Sequence, residues 1–193
     1  MPERASTIPV PDAAHSSLAH PLDEFYAEAG LPLPPLNQID GEAVPEPYRT
    51  LLVHQNDMTP TLEAFHRSAV HLDVLGRRRK GDAYFREVIL RLDGGNEPVE
   101  FGAIKINLDL FTPAAREQIL KEHLPLGHIL HEHKIAHASR PSAFLRLATD
   151  KLINSFLELN GAQVLYGRRN TLYDPHHQPL AEIVEILPVH KTK

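Results

Sequence analysis

The alternation of apolar and polar residues is clearest in DAYFREVILRL, residues 82–92. Read with a period of two, it gives a strand whose faces carry alternate residues. One face holds Tyr84, Arg86, Val88, Leu90 and Leu92, and the other holds Phe85, Glu87, Ile89 and Arg91. The first face is apolar except for Arg86. The pattern therefore predicts a strand with an arginine in its buried register.

The neighbouring patterns predict a meander of three antiparallel strands. Val70, Leu72 and Val74 alternate with polar residues, and GRRRK at 76–80 is interpreted as a solvated basic turn. After the central strand, DGGNE at 93–97 is a turn cluster, so PVEFGAIKINL should return antiparallel.

Helices and two more strands complete the prediction. Thr59 before Pro60 and Thr112 before Pro113 are typical of helix starts, the first helix running to about Arg67. LPLGHILHEHKI predicts a short helical or looped segment, and ATDKLINSFLELNGA an amphipathic helix. QVLYGRRNTLY and PLAEIVEILP predict two strands joined by DPHHQ. Antiparallel runs with grouped helices favour an α+β domain over a parallel βαβ sheet.

The N-terminal residues have a different composition. Frequent prolines in residues 1–45 predict an extended or weakly ordered arm, with one short helix around Leu22 to Ala29. The boundary of the domain, residues 46–193, is placed near Glu46.

Composition narrows the class of function. A net charge of −5 and a pI near 6.2 argue against a general nucleic-acid binder. The chain has no cysteine, which excludes disulfides and thiolate chemistry. With no signal-peptide pattern and no apolar run of about 20 residues, we expect a cytoplasmic protein without a membrane span, monomeric or weakly dimeric.

Arg86 is the first candidate functional residue. An unpaired guanidinium on a buried face costs several kcal/mol, and arginine does not lose its proton. Arg86 therefore needs an anion. Two sources remain open at this point: a carboxylate on a neighbouring strand, or an anionic ligand. A third possibility is a strand whose inner face is only partly covered.

Glutamates and histidines supply further candidates. Glu182 and Glu185 lie on opposite faces of the last strand, and alternation does not say which face is inside. A carboxyl group among aliphatic side chains tends to have a raised pKa, which suits proton transfer. HILHEHKIAH, at 128–137, lacks the HExxH order, so we interpret it as a polar helix end or loop rather than a metal site. No motif for a nucleotide cofactor or a serine nucleophile is present in the sequence.

Five blocks, taken together, resemble the chorismate pyruvate-lyase family. They are QNDMTPTLE (55–63), YFREVIL (84–90), LPLGHIL (124–130), YGRRNTL (166–172) and QPLAEIVEILP (178–188). The resemblance covers roughly Pro47 to Pro188 in the family's order. It implies a single antiparallel sheet flanked by helices, with a small buried aromatic-acid site under helical flaps.

The resemblance also implies a reaction and a set of site residues. Such lyases eliminate pyruvate from chorismate to give 4-hydroxybenzoate, with no metal and no organic cofactor. By motif, Arg86 would hold the ring carboxylate, and Glu185 would be the active-site glutamate. Met58 and Leu126 would line the pocket.

The sequence departs from the family at several positions. Lyases often carry a second arginine where this chain has Ala103, and Lys105 on the same face is a candidate substitute cation. An ungapped alignment puts Val184 at the glutamate position, with Glu182 the nearest carboxylate on that face. The alternative function is a non-catalytic domain of the same fold that binds a small aromatic acid, as in some transcription regulators.

Overall fold

The computed structural model describes residues 17–188 as seven strands and six α-helices. The strands are β1 (Leu36–Ile39), β2 (Val70–Lys80), β3 (Ala83–Leu92), β4 (Pro98–Asn107), β5 (Ala138–Ala148), β6 (Val164–Tyr173) and β7 (Pro179–Leu187). The helices are α1 (Leu22–Glu28), α2 (Tyr48–Leu52), α3 (Met58–His66), α4 (Pro113–Lys121), α5 (Leu126–Glu132) and α6 (Lys151–Phe156). Short 3-10 turns occupy Gly41–Ala43 and Leu108–Leu110.

All seven strands form one antiparallel sheet in the order β1-β5-β6-β7-β4-β3-β2. Helices α1 and α6 pack on one face, where Leu22, Phe25 and Ile153 join a core with Phe101 and Ile186. Helices α2 to α5 cover the other face. The predicted α+β class with a single antiparallel sheet is confirmed. Because both faces are covered, the central strands β3 and β4 are buried almost throughout.

The helix starts follow the local sequence closely. Helix α4 begins at Pro113, and the Thr112 hydroxyl accepts a hydrogen bond from the Ala115 amide at 3.4 Å, as the cap signal predicts. Helix α3 begins at Met58 and has Asp57 as its N-cap residue, two residues earlier than the predicted Thr59 cap. The proline thus lies inside the first turn, where its missing N–H leaves no bond unmade.

The interpretation of GRRRK as a turn is wrong. Residues 76–80 belong to β2, and the hairpin turn follows at Gly81, which has a φ of +61°. The arginines are stabilised in the strand by neighbours: the Arg78 guanidinium lies 5.1 Å from the centre of the Phe85 ring and 2.7 Å from the Glu24 carboxylate. A run of like charge is compatible with a strand when its side chains have such partners.

The N-terminal segment is described from residue 17 onward. The predicted helix is present as α1, and β1 then pairs with β5 at the edge of the sheet. Tyr26 and Val44 are buried, so parts of residues 17–45 pack against the rest of the described chain. The prediction for residues 1–16 lies outside the described residues.

Strand β5 is not among the strands that the sequence pattern predicts. Pro141 removes a ladder donor, and the register shifts between Pro141 and Ala143. Beyond that irregularity Ala143, Leu145 and Leu147 alternate into the core. No helix within residues 17–188 is long and apolar enough to cross a membrane.

Candidate functional site

A cavity of about 60 Å³ lies between the sheet and helices α3 and α5. That volume has room for several water molecules, or for part of a small ligand. Its lining is mostly aliphatic and includes three ionisable side chains that project from the sheet. The lining residues include Met58, Leu72, Arg86, Val88, Leu90, Glu100, Gly102, Ile104, Leu126, Leu130, Ile183 and Glu185.

The strand register explains why these side chains converge. Arg86 of β3 is opposite Ile104 of β4, Val88 is opposite Gly102, and Leu90 is opposite Glu100. Gly102 is in turn opposite Glu185 of β7. Residues directly opposite each other on paired strands share one face of the sheet. Arg86, Glu100 and Glu185 therefore all project toward α3 and α5.

Gly102 lies at the centre of this arrangement. A Cβ atom at that position would lie 2.7 Å from the Val184 carbonyl oxygen and 3.3 Å from Oε1 of Glu100. The missing side chain lets β4 and β7 approach closely and leaves space between Arg86 and Glu100.

Arg86 is 2% exposed, and its Nε and Nη1 atoms have no hydrogen-bond partner among residues 17–188. Within the same residues no carboxylate forms a salt bridge with it. Burial lowers the pKa of Arg86 to about 10, partly offset by Tyr84 and Glu122, so the guanidinium is still charged at neutral pH. A buried, charged donor without an acceptor has an unfavourable desolvation energy that a bound anion would relieve.

The internal salt bridge considered for Arg86 is formed by a different arginine. Arg168 of β6 is fully buried, and its Nε donates to Oε2 of Glu185 on the adjacent strand. Arg168 also donates to the carbonyl oxygens of His54 and Asn56 at 3.2 and 3.0 Å. The Arg168–Glu185 pair thus links the sheet to the segment that leads into α3.

His54 belongs to the same network as a neutral ring. Burial and the nearby Arg168 charge lower the pKa of His54 below its usual value. Its Nε2 lies 2.7 Å from the Leu51 carbonyl oxygen, and its Nδ1 accepts from the Asn56 amide at 3.1 Å. Nδ1 is also 3.3 Å from Nη1 of Arg168, so a neutral ring with its proton on Nε2 satisfies all three contacts.

Glu100 is the third ionisable group of the cavity. It is 5% exposed, and its Oε2 atom has no hydrogen-bond partner within the described chain. Burial and the Glu185 charge raise the pKa of Glu100 well above its usual value, although Arg168 opposes the shift. Burial without a counter-charge therefore favours the protonated, uncharged form of the Glu100 carboxyl group.

Helices α3 and α5 close the outer side of the cavity and contact each other directly. A Cβ atom on Gly127 would lie 2.8 Å from the Thr59 hydroxyl, so the two helices cross closely at this point. His128 of α5 lies 3.0 Å from Glu63 of α3. These contacts let the two helices act together as a cover for the cavity.

A second contact joins the segments that flank this cover. His137, between α5 and β5, contacts the Asp57 carboxylate at 2.8 Å. The hydrogen bond to Asp57 raises the pKa of His137 above its usual value, with burial opposing the shift. His137 and His128 therefore bind carboxylates of the cover. Within residues 17–188, no group of three or more histidine, aspartate or glutamate side chains is arranged to hold a metal ion.

The predicted site residues fall into two groups. Arg86, Glu185, Met58 and Leu126 all line the cavity. Lys105 and Glu182, which are opposite each other on β4 and β7, form an ion pair at 2.6 Å. Lys105 lies three residues from Gly102, and Glu182 lies three residues from Glu185, so both project from the opposite face of the sheet. They are not lining residues.

Two ionisable residues of the site were missed in the sequence. Glu100 shares a face with Gly102, Ile104 and Ile106, and Arg168 shares one with Asn170 and Leu172. Each is an ionisable residue among the side chains of its strand that face the covering helices, as Arg86 is in β3. The same alternation test, applied to β4 and β6, would have identified them.

The comparisons with known proteins bear on the fold. No family model matches the chain, and no curated protein matches it. PhnF from Mycobacterium smegmatis matches with a TM-score of 0.53 and 11% identity, covering 73% of this chain and 71% of PhnF. The separately solved effector domain of PhnF matches with a TM-score of 0.52 and 13% identity, covering 68% of this chain and 87% of that domain.

A third solved structure is the gene product SA0254 from Staphylococcus aureus. It has a TM-score of 0.50 and 10% identity, covering 62% of this chain and 82% of that protein. None of the three is described as a lyase. At these identities the likeness concerns the fold alone, so the chain shares its fold with the effector domain of PhnF.

The buried ion pair makes a prediction about stability. Glu185→Leu should lower the free energy of unfolding by about 3–5 kcal/mol, because it leaves the Arg168 charge buried without its carboxylate. The double variant Arg168→Met/Glu185→Leu should recover a large part of that loss, because no charge is left unpaired. Urea denaturation measures both values. Glu117→Gln, which removes an exposed ion pair with Lys121, is the control and should change little. Equal stability of wild type and Glu185→Leu would contradict the assignment.

Proposed function

We propose that this chain binds a small organic carboxylate in the cavity between the sheet and helices α3 and α5. The observation that carries the proposal is the buried guanidinium of Arg86, with Nε and Nη1 unpartnered within residues 17–188. A ligand carboxylate would accept charge-assisted hydrogen bonds from these atoms. It would also supply the charge that the surrounding side chains lack.

The rest of the cavity favours a compact apolar ligand body. Leu72, Val88 and Leu90 approach from β2 and β3, and Met58 and Leu126 approach from the covering helices. Small-molecule sites typically combine such apolar walls with a few polar groups that fix orientation. In this proposal Met58 and Leu126 contact the ring or hydrocarbon part of the ligand, while Arg86 holds its carboxylate.

The proposed role is that of a binding or sensing domain. The solved effector domain of PhnF has the same fold, which supports this role by analogy only. A ligand that contacts both the sheet and the α3–α5 cover would stabilise the closed position of these helices. Ligand occupancy would thereby change the surface that the two helices present.

A lyase acting on chorismate is the second candidate, because Glu185 lines the same cavity as Arg86. Elimination of pyruvate requires loss of a ring proton and departure of the enolpyruvyl oxygen, and aromatisation drives it. A glutamate can move such a proton, with a typical rate gain of about 10²–10⁴. However, Oε2 of Glu185 accepts from Arg168. That ion pair already occupies one of the two carboxylate oxygens of Glu185, which favours the binding role.

Binding can be tested with 4-hydroxybenzoate as the probe. We expect it to raise the melting temperature of the wild type, and Arg86→Met to weaken its binding at least about 100-fold. The expected loss is two charge-assisted hydrogen bonds worth about 1.5–3 kcal/mol each. Lys105→Met removes a cation on the opposite face and should leave affinity unchanged. Equal affinity of the wild type and Arg86→Met, measured by calorimetry, would overturn the proposal.

Incubation with chorismate separates binding from turnover. If the domain only binds, pyruvate should accumulate no faster than in buffer, while 4-hydroxybenzoate still binds. Pyruvate formation that depends on Glu185, tested with Glu185→Gln, would instead establish the lyase. Correctly folded Glu185→Gln, checked by circular dichroism, is required for that comparison.

A further inference from the structure

Glu100 lines the cavity but takes no part in the proposed contact between Arg86 and the ligand carboxylate. It lies on β4, two residues from Gly102, and lines the same cavity as Arg86 on β3. Its Oε2 atom is buried and has no partner among the described side chains and backbone groups. A buried polar atom without a partner is uncommon in a folded protein and often indicates a missing ligand or water.

The charged groups around Glu100 come from β6, β7 and the segment before α3. Glu185 of β7 is opposite the adjacent Gly102, and Arg168 of β6 binds Glu185. The hydrogen bonds of Arg168 go to Glu185 and to Leu52, His54 and Asn56 in the segment before α3, and within residues 17–188 none reaches Glu100. Asp57, at the outer side of the cavity, is bonded to His137.

These contacts determine the charge balance of the site. Arg168 and Glu185 neutralise each other, as do His137, when protonated, and Asp57. Burial and the Glu185 charge both raise the pKa of Glu100 and so favour its uncharged form. Glu122, the carboxylate that acts on Arg86 from outside the cavity lining, is paired with Arg77. Within residues 17–188, Arg86 is therefore a buried cation of the lining without a carboxylate partner. One ligand carboxylate would neutralise it, whereas a second carboxylate would be buried without a counter-charge at considerable cost.

We propose that Glu100 is a specificity-determining residue for the ligand. This inference rests on the proposed carboxylate-binding function. The neutral carboxyl group of Glu100 donates a hydrogen bond to an uncharged oxygen of the bound molecule, while Arg86 binds the carboxylate. The site thus selects monocarboxylates that carry a hydroxyl or carbonyl oxygen, and it discriminates against dicarboxylates. The selection arises because Arg86 recognises one negative charge of the ligand and Glu100 recognises one uncharged hydrogen-bond acceptor.

The test is calorimetric binding of three groups of probes to the full chain. The probes are benzoate, the three hydroxybenzoates, and the three benzenedicarboxylates with their monomethyl esters. For wild type, at least one hydroxybenzoate should bind about tenfold more tightly than benzoate, the gain expected of one hydrogen bond. Each dicarboxylate should bind more weakly than its own monomethyl ester, although the ester is larger.

Two variants assign these effects to Glu100. Glu100→Gln retains a donor and should keep the hydroxyl advantage, whereas Glu100→Leu, of similar volume, should abolish it. For each variant the quantity compared is the ratio of hydroxybenzoate affinity to benzoate affinity, so that any general change in the affinity of the cavity cancels. A hydroxyl advantage that survives in Glu100→Leu, or a dicarboxylate that binds more tightly than its ester, would overturn the role of Glu100 alone. Failure of every probe to bind wild type would overturn carboxylate binding itself.

Discussion

The face of the sheet that helices α2 to α5 cover carries two buried guanidinium groups. Their different surroundings determine the properties of the site. Arg168 is neutralised by Glu185 on the adjacent strand. Arg86, three strands away in the sheet order, forms no ion pair with a carboxylate in the part of the chain that the structure describes, and its Nε and Nη1 atoms have no hydrogen-bond partner there. Since Glu185 already has its cation, it does not neutralise Arg86 as well. The site therefore presents a fixed positive charge to whatever enters it.

The architecture holds this charge in place without a partner. Strands β3 and β4 are buried on both faces, so the backbone of Arg86 is fixed by ladder bonds on both sides. Gly102 leaves space beside it, and α3 and α5 cover that space. Arg168 extends the same rigidity to the cover, because it binds carbonyl groups of the segment that enters α3. A preformed site of this kind has little ordering entropy to lose on binding.

The sequence predicted the parts of this arrangement that depend on strand alternation and helix caps. Arg86 was identified because it interrupts an apolar face, and Thr112 because a proline follows it. Alternation did not decide between Glu182 and Glu185, because β7 is buried on both faces over most of its length. The register with β4 separates them: Glu185 is opposite Gly102, and Glu182 is opposite Lys105. That information is tertiary and absent from a single strand.

Other features were missed for identifiable physical reasons. Strand β5 was missed because Pro141 interrupts its pattern, although its pairing continues beyond the irregularity. The second half of β2 was missed because residues 76–80 carry charge. The pKa of Glu100 is raised by burial and by Glu185, which lies far away in the sequence. Pairing between distant segments thus decides both which residues meet in the cavity and which of them are charged.

The central claim is that Arg86 binds a ligand and does not stabilise the ligand-free protein. The most direct measurement is the free energy of unfolding of Arg86→Met in urea, without ligand. Because this variant replaces a buried charge by an apolar side chain of similar length, we predict that its stability equals or exceeds that of the wild type. A loss of about 3–5 kcal/mol would show that Arg86 is part of a structural ion pair, and it would contradict the account.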